Sequence, residues 1–369
     1  MRTLFTLIYL ICFYSAFAAE LDELTKLGEA GDPTAQSQLG YYYLNGIKTE
    51  KNIEAAKRWL QRAAEQGDID AAYDLGVLFE TERNYLLAAR YYKSAEIDPF
   101  AKLRLAHLYS QGLGAARDIN AAAELITAAA ESGEAEALYQ AGLLYLDGEA
   151  VPKDNNRALE LFLEAAYRLY PPAFTQVGRF YEEGIVTARD NLTAEIYYQK
   201  AFEAGDIDGT YLLAELLERR QDFEKAVIYY TKAADSGDVR SAAKLGRLFE
   251  NGIGVERDYT RAAAFYAKSV GTDGGFSENR LGAFYRNGLG VQIDPEAARE
   301  WFVKSIKQGY IPSNKALGHM YILGNFGEVN QVRGCAYLYR GGDEADAAYC
   351  DSQLSPRAQK AAKTIELLR

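Results

Sequence analysis

Apolar residues return along this chain in a fixed order. The pairs Leu39-Gly40, Leu75-Gly76, Leu105-Ala106, Ala141-Gly142, Val177-Gly178, Leu213-Ala214, Leu245-Gly246, Leu281-Gly282 and Leu317-Gly318 are in register. Their second members lie 36, 30, 36, 36, 36, 32, 36 and 36 residues apart. Five residues before each stands a small residue, as at Ala35, Ala71, Ala137 and Ser241, and three after it an aromatic or Leu, as at Tyr43, Phe79, Tyr145 and Phe249. Such offsets draw one stripe on a helix of about 3.6 residues per turn. Small residues let a neighbouring helix approach, and the aromatics fill the space beside it. Core packing therefore accounts for most of the 28 tyrosines.

A second helix follows in each unit. Glycine loops such as Gly112-Leu113-Gly114 and Gly252-Ile253-Gly254 suit the left-handed end of the first helix. Asn52, Asp118, Asp154, Asp190, Asp258, Asp294 and Asn330 then read as N-caps. Ala comes four residues past the cap, and a large residue such as Trp59, Tyr197 or Trp301 seven past. The second and sixth units lack the loop. There Asn84 and Asp222 still fall at the cap column, so a four-residue deletion spares both helices. Two helices and two turns fit a period of this length. The predicted fold class is all-α, a right-handed α/α solenoid of about nine helix-turn-helix units over 31–344.

The pattern resembles the Sel-1-like repeat, a relative of the tetratricopeptide repeat. The consensus A-x-x-x-LG-x-x-Y-x-x-G-x-G-V-x-x-D is nearly literal from Ser241 to Asp258. The resemblance implies a non-catalytic adaptor scaffold. In bacteria such repeats occur in alginate-export scaffold lipoproteins, in periplasmic regulators of exopolysaccharide sensor kinases and in effectors that bind host proteins.

The ends read differently. Arg2, the apolar run from Leu4 to Phe17 and the Ala16-Phe17-Ala18 site read as a signal peptide over 1–18. Cleavage leaves a chain with charge 40 − 52 = −12, periplasmic or secreted, with no later stretch long enough to cross a membrane. Residues 19–30 are predicted to form a capping helix, with Leu21, Leu24 and Leu27 covering the first repeat, and 345–369 C-terminal capping helices. Ser355-Pro356 starts the last of these, which offers Ala361, Ile365 and Leu368. With Cys12 removed, Cys335 and Cys350 are the remaining cysteines. They stand equidistant from the turn at Gly341-Gly342, which predicts a disulfide between facing helices.

Composition narrows the chemistry. A net charge of −11 disfavours nucleic acid, and two histidines are too few for a His-based metal cluster or a Ser/Cys-His site. Arg340-Gly341-Gly342-Asp343-Glu344 resembles a cyclase signature but falls in an inter-repeat turn. No catalytic residue, cofactor or metal is expected, and the partner is expected to be a protein bound by a monomer. In such solenoids the first helices line the concave face. The columns three before and one after the glycine vary from unit to unit and share a helix face. They supply the candidate groove: Tyr41, Tyr73, His107, Tyr139, Arg179, Tyr211, Glu215, Arg247, Lys315 and His319. Tyr and Arg are frequent interface anchors. A glycan-binding or glycan-processing protein is the alternative, with Glu182, Glu218 and Glu250 as available carboxylates.

Overall fold

The computed structural model describes residues 20–365. The predicted signal peptide and Leu368 lie outside the described residues. Among these residues there is no strand. The chain divides into two compact units, Met1–Arg189 and Asp190–Arg369.

In the first unit α1 (20–29) precedes four antiparallel pairs. These are α2 (Pro33–Asn45) with α3 (Ile53–Glu65), α4 (Ile69–Thr81) with α5 (Tyr85–Ser94), α6 (Pro99–Gln111) with α7 (Ile119–Ala130), and α8 (Ala135–Asp147) with α9 (Asn155–Tyr167). The first helix of the fifth repeat, α10 (Pro171–Glu183), closes it. The second unit begins with α11 (Asn191–Glu203). Its pairs are α12 (Ile207–Arg219) with α13 (Phe223–Asp235), α14 (Val239–Asn251) with α15 (Tyr259–Lys268), α16 (Phe276–Asn287) with α17 (Pro295–Lys307), and α18 (Pro312–Ile322) with α19 (Gln331–Gly341). It ends with α20 (Glu344–Gln353) and α21 (Pro356–Thr364).

Capping sets where the second helices begin. Asn52, Asp118, Asp154, Asp258, Asp294 and Asn330 each accept a backbone N–H three residues on. Where the loop is short, Arg83 (φ 60°) and Gln221 (φ 64°) take the left-handed position that glycine takes elsewhere.

The glycine column owes its residue type to a close approach. A Cβ added at Gly142, Gly246 or Gly282 would lie 2.6, 2.7 or 2.8 Å from Phe162, Tyr266 or Phe302. The residue that fills the glycine stands eight past the N-cap, one position beyond the large column that the sequence pattern emphasises. In eight of the nine repeats this residue is Leu60, Tyr92, Phe162, Tyr198, Tyr230, Tyr266, Phe302 or Leu338, each no more than 1% exposed, and in the third it is the partly buried Ile126. Burial of each such side chain contributes about 1.5–3 kcal/mol.

Each terminal helix departs from the sequence expectation at one residue, while Leu21, Leu24 and Ile365 are partly buried as expected. On α1 the inward residue is Gly28, whose carbonyl accepts from Gln36 Nε2 at 2.8 Å, while Leu27 is exposed. Six residues from Leu21 is about 240° around a helix, off the packed face. On α21 Ala362, not Ala361, is buried, and Ala358 and Ile365 pack beside it. Ser355 caps that helix. Cys335 on α19 and Cys350 on α20 are disulfide-bonded, with Cα atoms 5.6 Å apart. Asp343 of the Gly-Gly-Asp-Glu run caps α20, accepting from Ala345 and Asp346 backbone N–H groups.

Candidate functional site

The groove candidates all lie on the first helices of their repeats, but the two units treat them differently. In the first unit they occur singly, on α2, α4, α6, α8 and α10. Tyr41 is 49% exposed, His107 is exposed, and Arg179 is half-buried. Tyr73 and Tyr139 are half-buried because their rings lean into the seam of their own repeat, 5.9 Å from Tyr92 and 5.6 Å from Phe162. Tyr139 also meets Tyr170 at 5.3 Å.

In the second unit Tyr211, Glu215 and Arg247 join one network. Glu215 lies 3.1 Å from Lys244, and Lys244 lies 3.0 Å from Glu218, which also meets Arg247 at 3.4 Å. Tyr211 bonds Glu215 through its hydroxyl, and the Arg240 guanidinium covers its ring at 4.4 Å. Arg240 is itself held by Asp208 and by Asp238, the latter at 2.8 Å. Lys315 and His319 are joined separately. Lys315 reaches Asp343 at 2.9 Å and Asp346 at 3.0 Å, and His319 meets Asp346 at 3.3 Å, so the start of α20 engages both.

A recurring triad underlies the network. Tyr92, Tyr230 and Tyr266 fill their glycine or alanine positions and donate to Glu80, Glu218 and Glu250 at 2.6, 2.6 and 2.7 Å. The next first helix then supplies a cation to that carboxylate: Arg104 at 3.8 Å, Lys244, and Arg280 through Nε at 3.1 Å. Burial first, then the adjoining carboxylate, pushes all three phenols well above their ordinary range. For Glu218 burial works in the opposite direction. The hydrogen bonds of Tyr230 and Lys244 and the charges of Lys244 and Arg247 outweigh it and hold the carboxyl below its ordinary value. Where the glycine is filled by Leu60, Phe162, Phe302 or Leu338, the acid's position holds Leu44, Leu146, Arg286 or Ile322. That co-occurrence is readable in the sequence and was the missed signal for Arg104, Lys244, Arg280 and Glu80.

Beside this network the second unit carries a cavity of about 320 Å³. Tyr211 and Phe276 supply its aromatic lining, Ala243 its small residue, and Arg240, Lys244 and Arg247 its cations. Glu218 and Glu250, candidates for the glycan-processing alternative, have their carboxylates engaged in the triads. No group of three or more His, Cys, Asp or Glu side chains able to hold a metal occurs among the described residues.

The stacked helix pairs, the glycine seams and the inter-repeat turns define an α/α repeat protein. The Sel1 repeat family matches residues 33–68, 69–96, 99–134, 135–168, 173–206, 208–238, 239–270 and 275–310, so the chain belongs to that family. Proteins of this family are in general protein–protein interaction scaffolds. The α18–α19 pair lies beyond the eight matched repeats and keeps the same seam, Gly318 against Leu338. Among solved structures the chain is similar to c5321, a protective antigen of uropathogenic Escherichia coli strains with an SLR fold. That match has 25% identity and a TM-score of 0.70, and covers 93% of this chain and 77% of the other. A Sel1 repeat protein from Oxalobacter formigenes matches at 24% identity and a TM-score of 0.67, covering 82% of this chain and 91% of its own. No curated protein matches the chain. No helix among the described residues is long and apolar enough to cross a membrane.

Proposed function

We propose that this chain is an exported, non-catalytic scaffold that holds a protein partner against the first helices of its repeats. Its setting is the periplasm or the cell exterior, in envelope or exopolysaccharide assembly or in control of an envelope signalling protein. The observation that carries the reading is the contrast between columns on one helix. Packing columns repeat their residue type, whereas the columns three before and one after the glycine change chemistry and, apart from the buried Thr175, stay partly exposed. Export is supported by the N-terminal sequence and by the Cys335–Cys350 bridge, which suits an oxidising compartment. In the same reading α1 at one end and α20 and α21 at the other cover the apolar ends of the repeat array.

Exposed candidates make the cleaner test, because Tyr139→Ala would also open the seam at Phe162. Cross-linking and affinity capture from an envelope extract should yield a stoichiometric protein with the full chain. Capture should fall at least tenfold for Tyr41→Ala combined with His107→Ala and Arg179→Ala, at an unchanged melting temperature. Full retention of every captured protein by that folded triple variant would refute the assignment of this face.

A further inference from the structure

The cavity of the second unit carries a statement about the partner's chemistry, and it rests on the scaffold reading. The chain is acidic overall, at −11, yet the side chains lining this cavity include three cations and one carboxylate. That carboxylate, Asp273, is occupied: both oxygens accept from the Ser277 backbone N–H, and Oδ2 also accepts from the Ser277 hydroxyl. The other acids of the network, Asp208, Asp238, Glu215 and Glu218, are not among the lining residues. They hold the cations from outside the cavity and fix their positions. Lys244 meets two carboxylates, Glu215 and Glu218, and Arg240 meets two, Asp208 and Asp238, through Nη2 and Nε, so that its Nη1 side is the part left for a ligand. Arg240 and Arg247 remain 45% and 50% exposed, and Arg247 has a contact of 3.4 Å to Glu218.

We propose that this cavity takes an acidic, extended segment of the partner protein, with two of its carboxylates on Arg240 and Arg247 and an apolar side chain between them against Tyr211 and Phe276. The spacing favours a segment over a single chain-terminal carboxylate. Positions 240 and 247 are two turns apart, about 10 Å along α14. Acidic side chains two apart on an extended chain stand about 7 Å from each other, within reach of both long arginine side chains. One carboxylate cannot span both. Guanidinium and carboxylate also match as planar, paired donors and acceptors.

The test is selection of a random dodecapeptide phage library on the full chain and on the folded Arg240→Gln plus Arg247→Gln variant. We expect the full chain to enrich peptides with Asp or Glu at alternating positions around an apolar residue. The strongest of these, made synthetically, should bind at least tenfold more weakly to the double variant and to Arg247→Gln alone. Its Glu→Gln counterpart should bind the unaltered chain at least tenfold more weakly, a readout that does not depend on any variant folding. Enriched peptides without acidic bias would overturn the proposal and leave the scaffold reading standing. An acidic peptide bound equally by the double variant would move the acid site elsewhere and overturn it as well. Failure to enrich any peptide would overturn it too, while the capture experiment above still judges the scaffold reading.

Discussion

The two units are built on one pattern and spend their polar residues differently. In the first, the seams are mostly hydrocarbon, with Leu60 and Phe162 against glycines, and one triad is present, Tyr92 on Glu80 with Arg104 at 3.8 Å reaching from α6 to α4. The second fills Gly246 with Tyr266 and places Tyr230 in the α12–α13 seam, engages both phenols with glutamates, and ties α12, α14 and α16 by Lys244, Arg247 and Arg280. It also carries the disulfide. Hydrocarbon seams are tolerant of pH and salt. A buried phenol on a carboxylate that is shared with a cation is directional, and it becomes costly once any member is removed. The comparison therefore predicts two modules with different vulnerabilities inside one repeat array.

The largest expected effect breaks the difference at its covalent end. Replacing Cys335 and Cys350 by Ala should cost about 3 kcal/mol in the chain-entropy view of a loop of this length. Amide exchange should rise over α20 and α21 and stay unchanged over α2–α9. Exchange that rises equally in both units would show that the bridge acts on the whole chain.

Next comes the triad. Glu218→Ala leaves the Tyr230 hydroxyl without its acceptor and deprives Lys244 and Arg247 of a partner, and should cost about 2 kcal/mol in urea unfolding. Ser110→Ala, at the same column of the first unit, should change stability by less than about 0.5 kcal/mol. Similar costs at the two sites would dissolve the distinction.

Acidification should move the units in opposite directions. Burial, reinforced by Asp70 and Asp68, raises Asp74 on α4 to about 6. A carboxyl raised in the folded state is penalised when ionised. The first unit should thus gain stability as pH falls from about 6 toward the unfolded value of about 4. Glu218 is depressed, so its contribution is present above the unfolded value and lost as pH falls through the lower folded one. Asp74→Asn should stabilise the first unit at pH 7 by about 1–2 kcal/mol, discounted for partial solvent screening, and flatten its response between pH 4 and 6. An unchanged pH profile would count against the burial of that carboxyl.

Much of this architecture was legible because packing repeats itself. The caps at Asn52 or Asp258 and the glycine column recur often enough to align by eye, and the two short loops keep register through Asn84 and Asp222. The terminal helices recur nowhere else in the chain, so Leu27 and Ala361 were assigned to faces that α1 and α21 turn outward. The candidate groove was legible only as a set of columns. Tyr73 and Tyr139 sit in the right column, but their rings fall back onto Tyr92 and Phe162, a choice set by the neighbouring helix. The cations Arg240 and Lys244 were missed because their partners stand about 30 residues away on the preceding repeat. Reading one repeat at a time cannot show a contact made between repeats.

The smallest prediction uses a feature the units share, and so serves as the control for the others. Arg83 on the α4–α5 turn and Gln221 on the α12–α13 turn both adopt positive φ, at 60° and 64°. The turns are equivalent: each follows the same loop deletion, and Asn84 and Asp222 cap the next helix. A side chain in the left-handed region costs about 1–2 kcal/mol, and glycine avoids that cost while losing more chain entropy on folding. Arg83→Gly and Gln221→Gly should therefore each raise stability by about 0.5–1 kcal/mol, and by the same amount within error. Both residues are exposed, so neither substitution removes a packed side chain. Equal gains would assign the unit-specific effects above to the seams and not to local backbone geometry. A gain at one turn and a loss at the other would mean that the turns, despite matching dihedrals, are coupled to the different networks beside them.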